Sequence, residues 1–267
     1  MTPKTISTIA TPSGHDALEG AISCAGRWSA HLDVMCVAER RLDVSALSGS
    51  AMAIGGPILV DVPIDDLEGL EARVRSRLGA QSFPWSIDIP NSAVDISRLF
   101  ASDARFADLV VLPQAASAEI DIDGLIETVL HIARVPILTV PEGIDPGFER
   151  IMLAWDGSEV ALAAIRAALP ILGDAKEVQI VCVDPAADSA GRGVAVMLDR
   201  HGVAASVVAL PRANRRIADV LCAYGRENGM DLCVMGAFGH RGLREMLLGG
   251  VTRAMLEQTG LTLLLAR

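Results

Sequence analysis

At 267 residues, 51% of them hydrophobic and only 3% aromatic, the chain must build its core from Ala, Val, Leu and Ile, a composition suited to parallel sheets wrapped by helices. That length holds one large domain or two ordinary ones. A formal net charge of -10 excludes the basic stripe that nucleic acid demands, and no apolar run reaches the roughly 18 residues of a membrane span.

In chain order, a strand is expected at KTISTIAT (4–11), a helix over HDALEGAISCAGRW (15–28) and a strand at HLDVMCVA (31–38). The next stretch, RRLDVSALSGSAMAIGGPILVDVPI (40–64), is an insertion rich in small apolar residues, either a packing loop or a dimer contact. A helix over DDLEGLEARVRSRLGA (65–80) and a strand at WSIDIP (85–90) follow. Two helix-strand pairs, VDISRLFASDARFADLVVLP (94–113) and GLIETVLHIARVPILTV (124–140), close the first half. Proline, glycine and charge then interrupt the chain at PEGIDPGFER (141–150).

Beyond that break the order repeats: ERIMLAWD, SEVALAAIRAALPIL, EVQIVCVD, GRGVAVMLDRHG, AASVVALP, RRIADVLCAYGRENGMDLCVMG and GVTRAMLEQTGLTLLLAR alternate strand and helix in the same way. Internal duplication is the economical reading, with an N-terminal domain over 1–143 and a C-terminal one over 149–267. Each half is an α/β unit of five strands and four helices, which right-handed crossovers fold into a parallel sheet covered on both faces. The final LTLLLAR reads as a short apolar edge strand suited to pairing with another domain or chain. The opening MTPKTISTIATPSGHD lacks the apolar core of a signal peptide. Five scattered cysteines with no CxxC suit a reducing compartment, so a cytoplasmic protein without a zinc site is expected.

The chemistry concentrates in MGAFGHRGLREMLLGGVTRAM (235–255). Gly236 and Gly239 follow a strand and Gly249 and Gly250 precede a helix, while His240, Arg241 and Arg244 lie between. Glycines let backbone N–H groups approach a phosphate closely, and a helix N-terminus adds partial positive charge. No GxxxxGK[ST] occurs, so this is not a P-loop.

The pattern G-x2-G-x9-G-G, with IMLAWDGSEVALAAI and EVQIVCVD, resembles the universal stress protein family, whose ATP-binding members carry G-x2-G-x9-G-[S/T]. The resemblance covers the second half closely and the first by topology. It implies two tandem α/β domains of the adenine nucleotide alpha hydrolase-like type and a role in stress response or signalling. By this likeness the ligand is ATP, or AMP or ADP, with or without Mg. Ala154 and Asp156 would meet adenosine, Val183 adenine, and Met235 and Gly236 the ribose. Gly239, Gly249, Gly250 and Val251 would cradle the phosphates, with His240 and Arg241 beside them.

Each position has a plainer role as well. Asp156 either contacts adenosine or caps the next helix, and Val183 is either a ligand contact or ordinary strand core. Gly250 stands where the pattern has Ser or Thr, which keeps the N–H and loses a hydroxyl donor, so weakened binding is expected. In the first half, Pro113 and Gln114 replace the glycines, Glu119, Asp121 and Asp123 add negative charge, and no aspartate matches Asp156, so no nucleotide is expected there. No SGGxDS loop or Ser-His-Asp arrangement is recognisable, which favours binding over catalysis, with slow hydrolysis assisted by His240 as the enzymatic alternative. The alternative of another class is an interaction scaffold of the same fold that binds no nucleotide. The expected assembly is a homodimer or an intramolecular pairing of the two domains.

Overall fold

The computed structural model describes residues 2–14, 17–37, 64–90, 95–114, 121–186, 190–237, 250–258 and 260–267. The first half runs β1 (Thr5–Ala10), α1 (Leu18–Trp28), β2 (His31–Cys36), α2 (Ile64–Gly79), β3 (Trp85–Asp88), α3 (Ile96–Ala104), β4 (Leu109–Pro113), α4 (Ile122–Thr128), which continues as a π-helical turn (Val129–Ala133), and β5 (Ile137–Val140). The second runs β6 (Arg150–Ala154), α5 (Glu159–Leu172), β7 (Glu177–Val183), α6 (Arg192–Arg200), β8 (Ser206–Leu210), α7 (Ile217–Glu227), β9 (Leu232–Gly236), α8 (Gly250–Gln258) and β10 (Thr262–Ala266). Most of the 40–64 insertion lies outside the described residues.

All ten strands form one sheet in the order β3-β2-β1-β4-β5-β10-β9-β6-β7-β8. Within each half the pairing is parallel, and β5 and β10 join the halves antiparallel with Leu264 opposite Leu138. The strand LTLLLAR is therefore not an edge. It is hydrogen-bonded on both sides inside the chain, and the pairing expected of it is satisfied between the chain's own two domains. Among the described residues the sheet ends instead at β3 and β8.

Strands buried on both faces explain the continuous apolar runs. In β10, Leu264 and Ala266 face a core layer with α1, α2, α5 and α6, while Leu263 and Leu265 face the layer with α3, α4, α7 and α8. Both layers continue across the join between the halves. All five cysteines are buried and free, as their apolar contexts suggested; burial pushes the Cys24 thiol up to about 12.

The duplication extends to a polar detail. Asp108, before β4, accepts from the backbone N–H of Lys4 and Thr5 at 2.7 and 3.1 Å. Asp231, before β9, accepts in the same way from Glu149 and Arg150 at 3.1 and 2.8 Å. Each carboxylate satisfies the entry of the half's first strand, and the shared sequence signal is the aspartate opening DLVV and DLCV.

The break between the halves is anchored. Phe148 is 2% exposed, with its ring 5.1 Å from that of Trp28 and under the Arg27 guanidinium at 5.3 Å.

Candidate functional site

In an open parallel sheet, ligands lie beyond the carboxyl ends of the strands where strand order reverses. In the second half that point is β6, because the chain moves from β6 outward through β7 to β8 and then returns to β9 on the other side. β6 also stops short of its neighbours. Its last residue, Ala154, pairs with Val181, yet β7 runs on to Val183; Leu153 pairs with Val234, yet β9 runs on to Gly236. The result is a notch over the end of β6, with Val183 on one side and Gly236 on the other, and Met235 level with Ala154.

The turn leaving β6 carries Asp156 just beyond the strand end. Gly157 takes φ +85°, which a side chain rarely permits, and the exposed Asp156 carboxylate accepts from the Ser158 N–H at 2.9 Å. The cap of α5 is Ser158, whose Oγ accepts from the Ala161 N–H at 3.2 Å. Asp156 thus shapes the turn but does not cap the helix, which corrects the plainer of its two expected roles. Its remaining carboxylate surface faces solvent.

Gly236 has a packing reason of its own. A Cβ there would lie 2.5 Å from the Ala161 nitrogen and 2.6 Å from the Val160 carbonyl carbon, so the missing side chain lets the first turn of α5 settle on β9. Gly236→Ala is expected to destabilise the protein by about 1 to 3 kcal/mol, the usual range for overpacking, measured by denaturant unfolding. An unchanged midpoint would mean that α5 moves aside freely.

Gly250 opens α8, and a Cβ there would meet nothing within 4 Å. Val251 follows in the first turn, half-buried. A side chain thus has room at Gly250 among the described residues and none at Gly236, where α5 stands. Gly239, His240, Arg241, Arg244 and Gly249 lie outside the described residues. Of the candidate residues, the structure brings Ala154, Asp156, Val183, Met235 and Gly236 to one end of three adjacent strands.

The corresponding end of the first half is occupied by the chain itself. Strand register puts Thr11 where Asp156 stands and Pro113 where Gly236 stands. Arg73 reaches the β1–α1 turn and donates to the Thr11 carbonyl at 2.5 Å. Gln114 turns to the domain join, its amide donating to the Leu261 carbonyl at 2.6 Å. Gly124 precedes Ile137 of β5 by as many residues as Gly250 precedes Leu263, its match by register in β10, but its N–H is taken by the Asp121 carboxylate at 3.1 Å. Burial pushes the nearby Asp123 carboxyl up, partly offset by Arg253 of α8. The roles of Arg73 and Gln114 escape sequence reasoning, since each depends on a contact distant in the chain.

A doubly wound parallel sheet duplicated in tandem defines a class of two-domain α/β proteins. The family follows from the sequence of the second half: residues 147–267 match the model of the universal stress protein family. The second domain thus carries the family's sequence pattern, and the first domain repeats the fold. Over its whole length it is similar to a universal stress protein from Archaeoglobus fulgidus, at 16% identity and a TM-score of 0.71, covering 100% of this chain and 97% of that one. It is also similar to a Pseudomonas aeruginosa protein provisionally named a universal stress protein, at 17% identity and 0.61, covering 99% and 93%. The cytoplasmic domain of a prokaryotic cation chloride cotransporter shares the architecture at 11% identity and 0.51, covering 100% and 95%. At these identities the likeness is one of fold. No curated protein matches the chain. Among the described residues, no helix is long and apolar enough to cross a membrane.

Proposed function

We propose that the second domain binds one adenine nucleotide, ATP or its mono- or diphosphate, with or without Mg, in the service of stress response or signalling. The observation that carries this reading is the notch over β6, with Asp156, Val183, Met235 and Gly236 at the ends of adjacent strands and α8 spanning Gly250–Gln258. Adenosine would lie over Ala154 against Val183 and Asp156. The phosphates would extend toward Gly250 and Val251, where N–H groups opening α8 attract anions. The sequence's Gly239, His240, Arg241 and Gly249 complete the proposed cradle. The role is binding rather than turnover, and the first domain, with Asp121 on the Gly124 N–H, takes no nucleotide.

Calorimetry with ATP tests this directly. One site per chain is expected, weakened by Asp156→Ala. Gly250→Ser should tighten binding about 10- to 100-fold, because a hydroxyl bond to a charged group is worth about 1.5 to 3 kcal/mol. Space exists for the new side chain. Unchanged affinity in Gly250→Ser would remove the hydroxyl argument, and no binding by either protein would favour the scaffold reading. Multiple turnovers of ATP, lost on His240→Ala, would instead make the domain an enzyme.

A further inference from the structure

Strand register adds one residue to the row that faces the proposed nucleotide. β6 pairs Ala154 with Val181 and Leu153 with Val234, and β9 pairs Gly236 with Ala266. Carried to the strand ends, these registers put Val183, Asp156, Ala237 and Arg267 level with one another across β7, β6, β9 and β10. Bonds from the Trp155 N–H to the Val181 carbonyl and from the Ala237 N–H to the Ala266 carbonyl keep the register beyond the ladders. The row also shares a face. Ala154, Val183, Ala237 and Val251 pack in the layer that holds α8, and Arg267 continues the alternation of Leu263 and Leu265 into it.

Arg267 is held there by the other domain. Its Nη1 stands 2.5 Å from both ring nitrogens of His131, on the π-helical turn that follows α4. Burial and the Arg267 charge hold the His131 ring below the usual imidazole range, against the pull of Glu127. The ring is therefore neutral at neutral pH, and the contact fixes the guanidinium without cancelling its charge. Among the described residues, no carboxylate pairs with Arg267.

Adjacent strands lie about 5 Å apart, so the row from Val183 to Arg267 spans about 14 Å. With adenine at Val183 and the ribose at Asp156 and Gly236, the phosphate chain continues along the row toward β10. A monophosphate ends beside β9, and further phosphates close the remaining gap. We propose that Arg267, positioned by His131 of the first domain, binds the β- and γ-phosphates and makes the second domain prefer ATP to AMP. This rests on the nucleotide reading for the place of the adenosine.

Calorimetry on the full chain with ATP, AMP and inorganic triphosphate is the test. Arg267→Gln should weaken ATP and triphosphate about tenfold or more, as expected for losing a charge-assisted contact, and leave AMP within about twofold. Arg267 is exposed and lies beyond the last residue of β10, so its replacement leaves the core untouched. His131→Leu should lower the ratio of ATP to AMP affinity, and His131→Gln, which keeps an acceptor, should restore most of it. The inference is overturned if Arg267→Gln binds ATP as tightly as the unaltered chain, or loses AMP as much as ATP; the nucleotide reading survives both results. Triphosphate bound through Arg267 as tightly as ATP, with AMP unbound, would support the cation's role and end the nucleotide reading alone. No binding of any of the three at about 1 mM overturns both.

Discussion

Leu263→Pro and Leu264→Pro are each expected to unfold the protein at room temperature or bring it close to unfolding. Successive residues of a strand direct their N–H groups to opposite sides, so on an edge strand one of two adjacent prolines faces solvent and is tolerated. β10 has no such side. Leu263 and Leu264 pair with Cys233 and Val234 on one flank and with Thr139 and Leu138 on the other, and both leucines are fully buried. Each proline removes a ladder donor, leaves a buried carbonyl unpaired at about 1 to 3 kcal/mol, and disturbs both core layers. Alanine at the same positions removes side-chain packing alone, at about 2 to 5 kcal/mol, and serves as the control. Denaturant unfolding followed by circular dichroism makes the comparison. Near-native stability in either proline variant would mean that β10 has an open flank.

Phe148→Ala should cost about 3 to 5 kcal/mol, as large as a loss from the centre of either core, although the residue belongs to the segment that breaks the two halves. Its ring is 2% exposed and fills the space beside Trp28, so truncation leaves a cavity at the end of α1. Phe148→Leu keeps most of that volume and should cost less. Arg27→Met removes the cation above the ring and should cost about 0.5 to 1 kcal/mol. A loss below about 1 kcal/mol in Phe148→Ala would show that the segment is a loose tether.

These two regions mark where sequence reasoning stopped. The alternation of strand and helix was legible because apolar periodicity is local: SEVALAAIRAALPIL forms α5 over Glu159–Leu172 even with Pro170 inside it. The partner of β10 was not legible. LTLLLAR is apolar on both faces, and such a strand looks the same at an edge or in the middle of a sheet. Similarly, PEGIDPGFER carries the composition of a linker, and only the fold brings Phe148 back onto Trp28.

The candidate site divides in the same way. The family resemblance named Asp156, Val183 and Gly236, and each stands at or just beyond the end of a recognisable strand. Their details required contacts: Ser158 rather than Asp156 caps α5, and Gly236 is small because Val160 and Ala161 press against it. In the first half the negative charge of LPQAASAEIDIDG was visible in the sequence, but the use of Asp121 to hold the Gly124 N–H was not. Helix caps of this kind depend on where the helix begins, and local patterns place helix boundaries poorly.

The most direct test of the account is to purify the chain under native conditions, identify any released small molecule by mass spectrometry, and titrate the emptied protein with ATP. The account predicts about one adenine nucleotide per chain, either recovered or rebound, with Asp156→Ala weakening that binding. A protein that comes away empty and binds no ATP at about 1 mM would contradict it and leave the second domain as a scaffold.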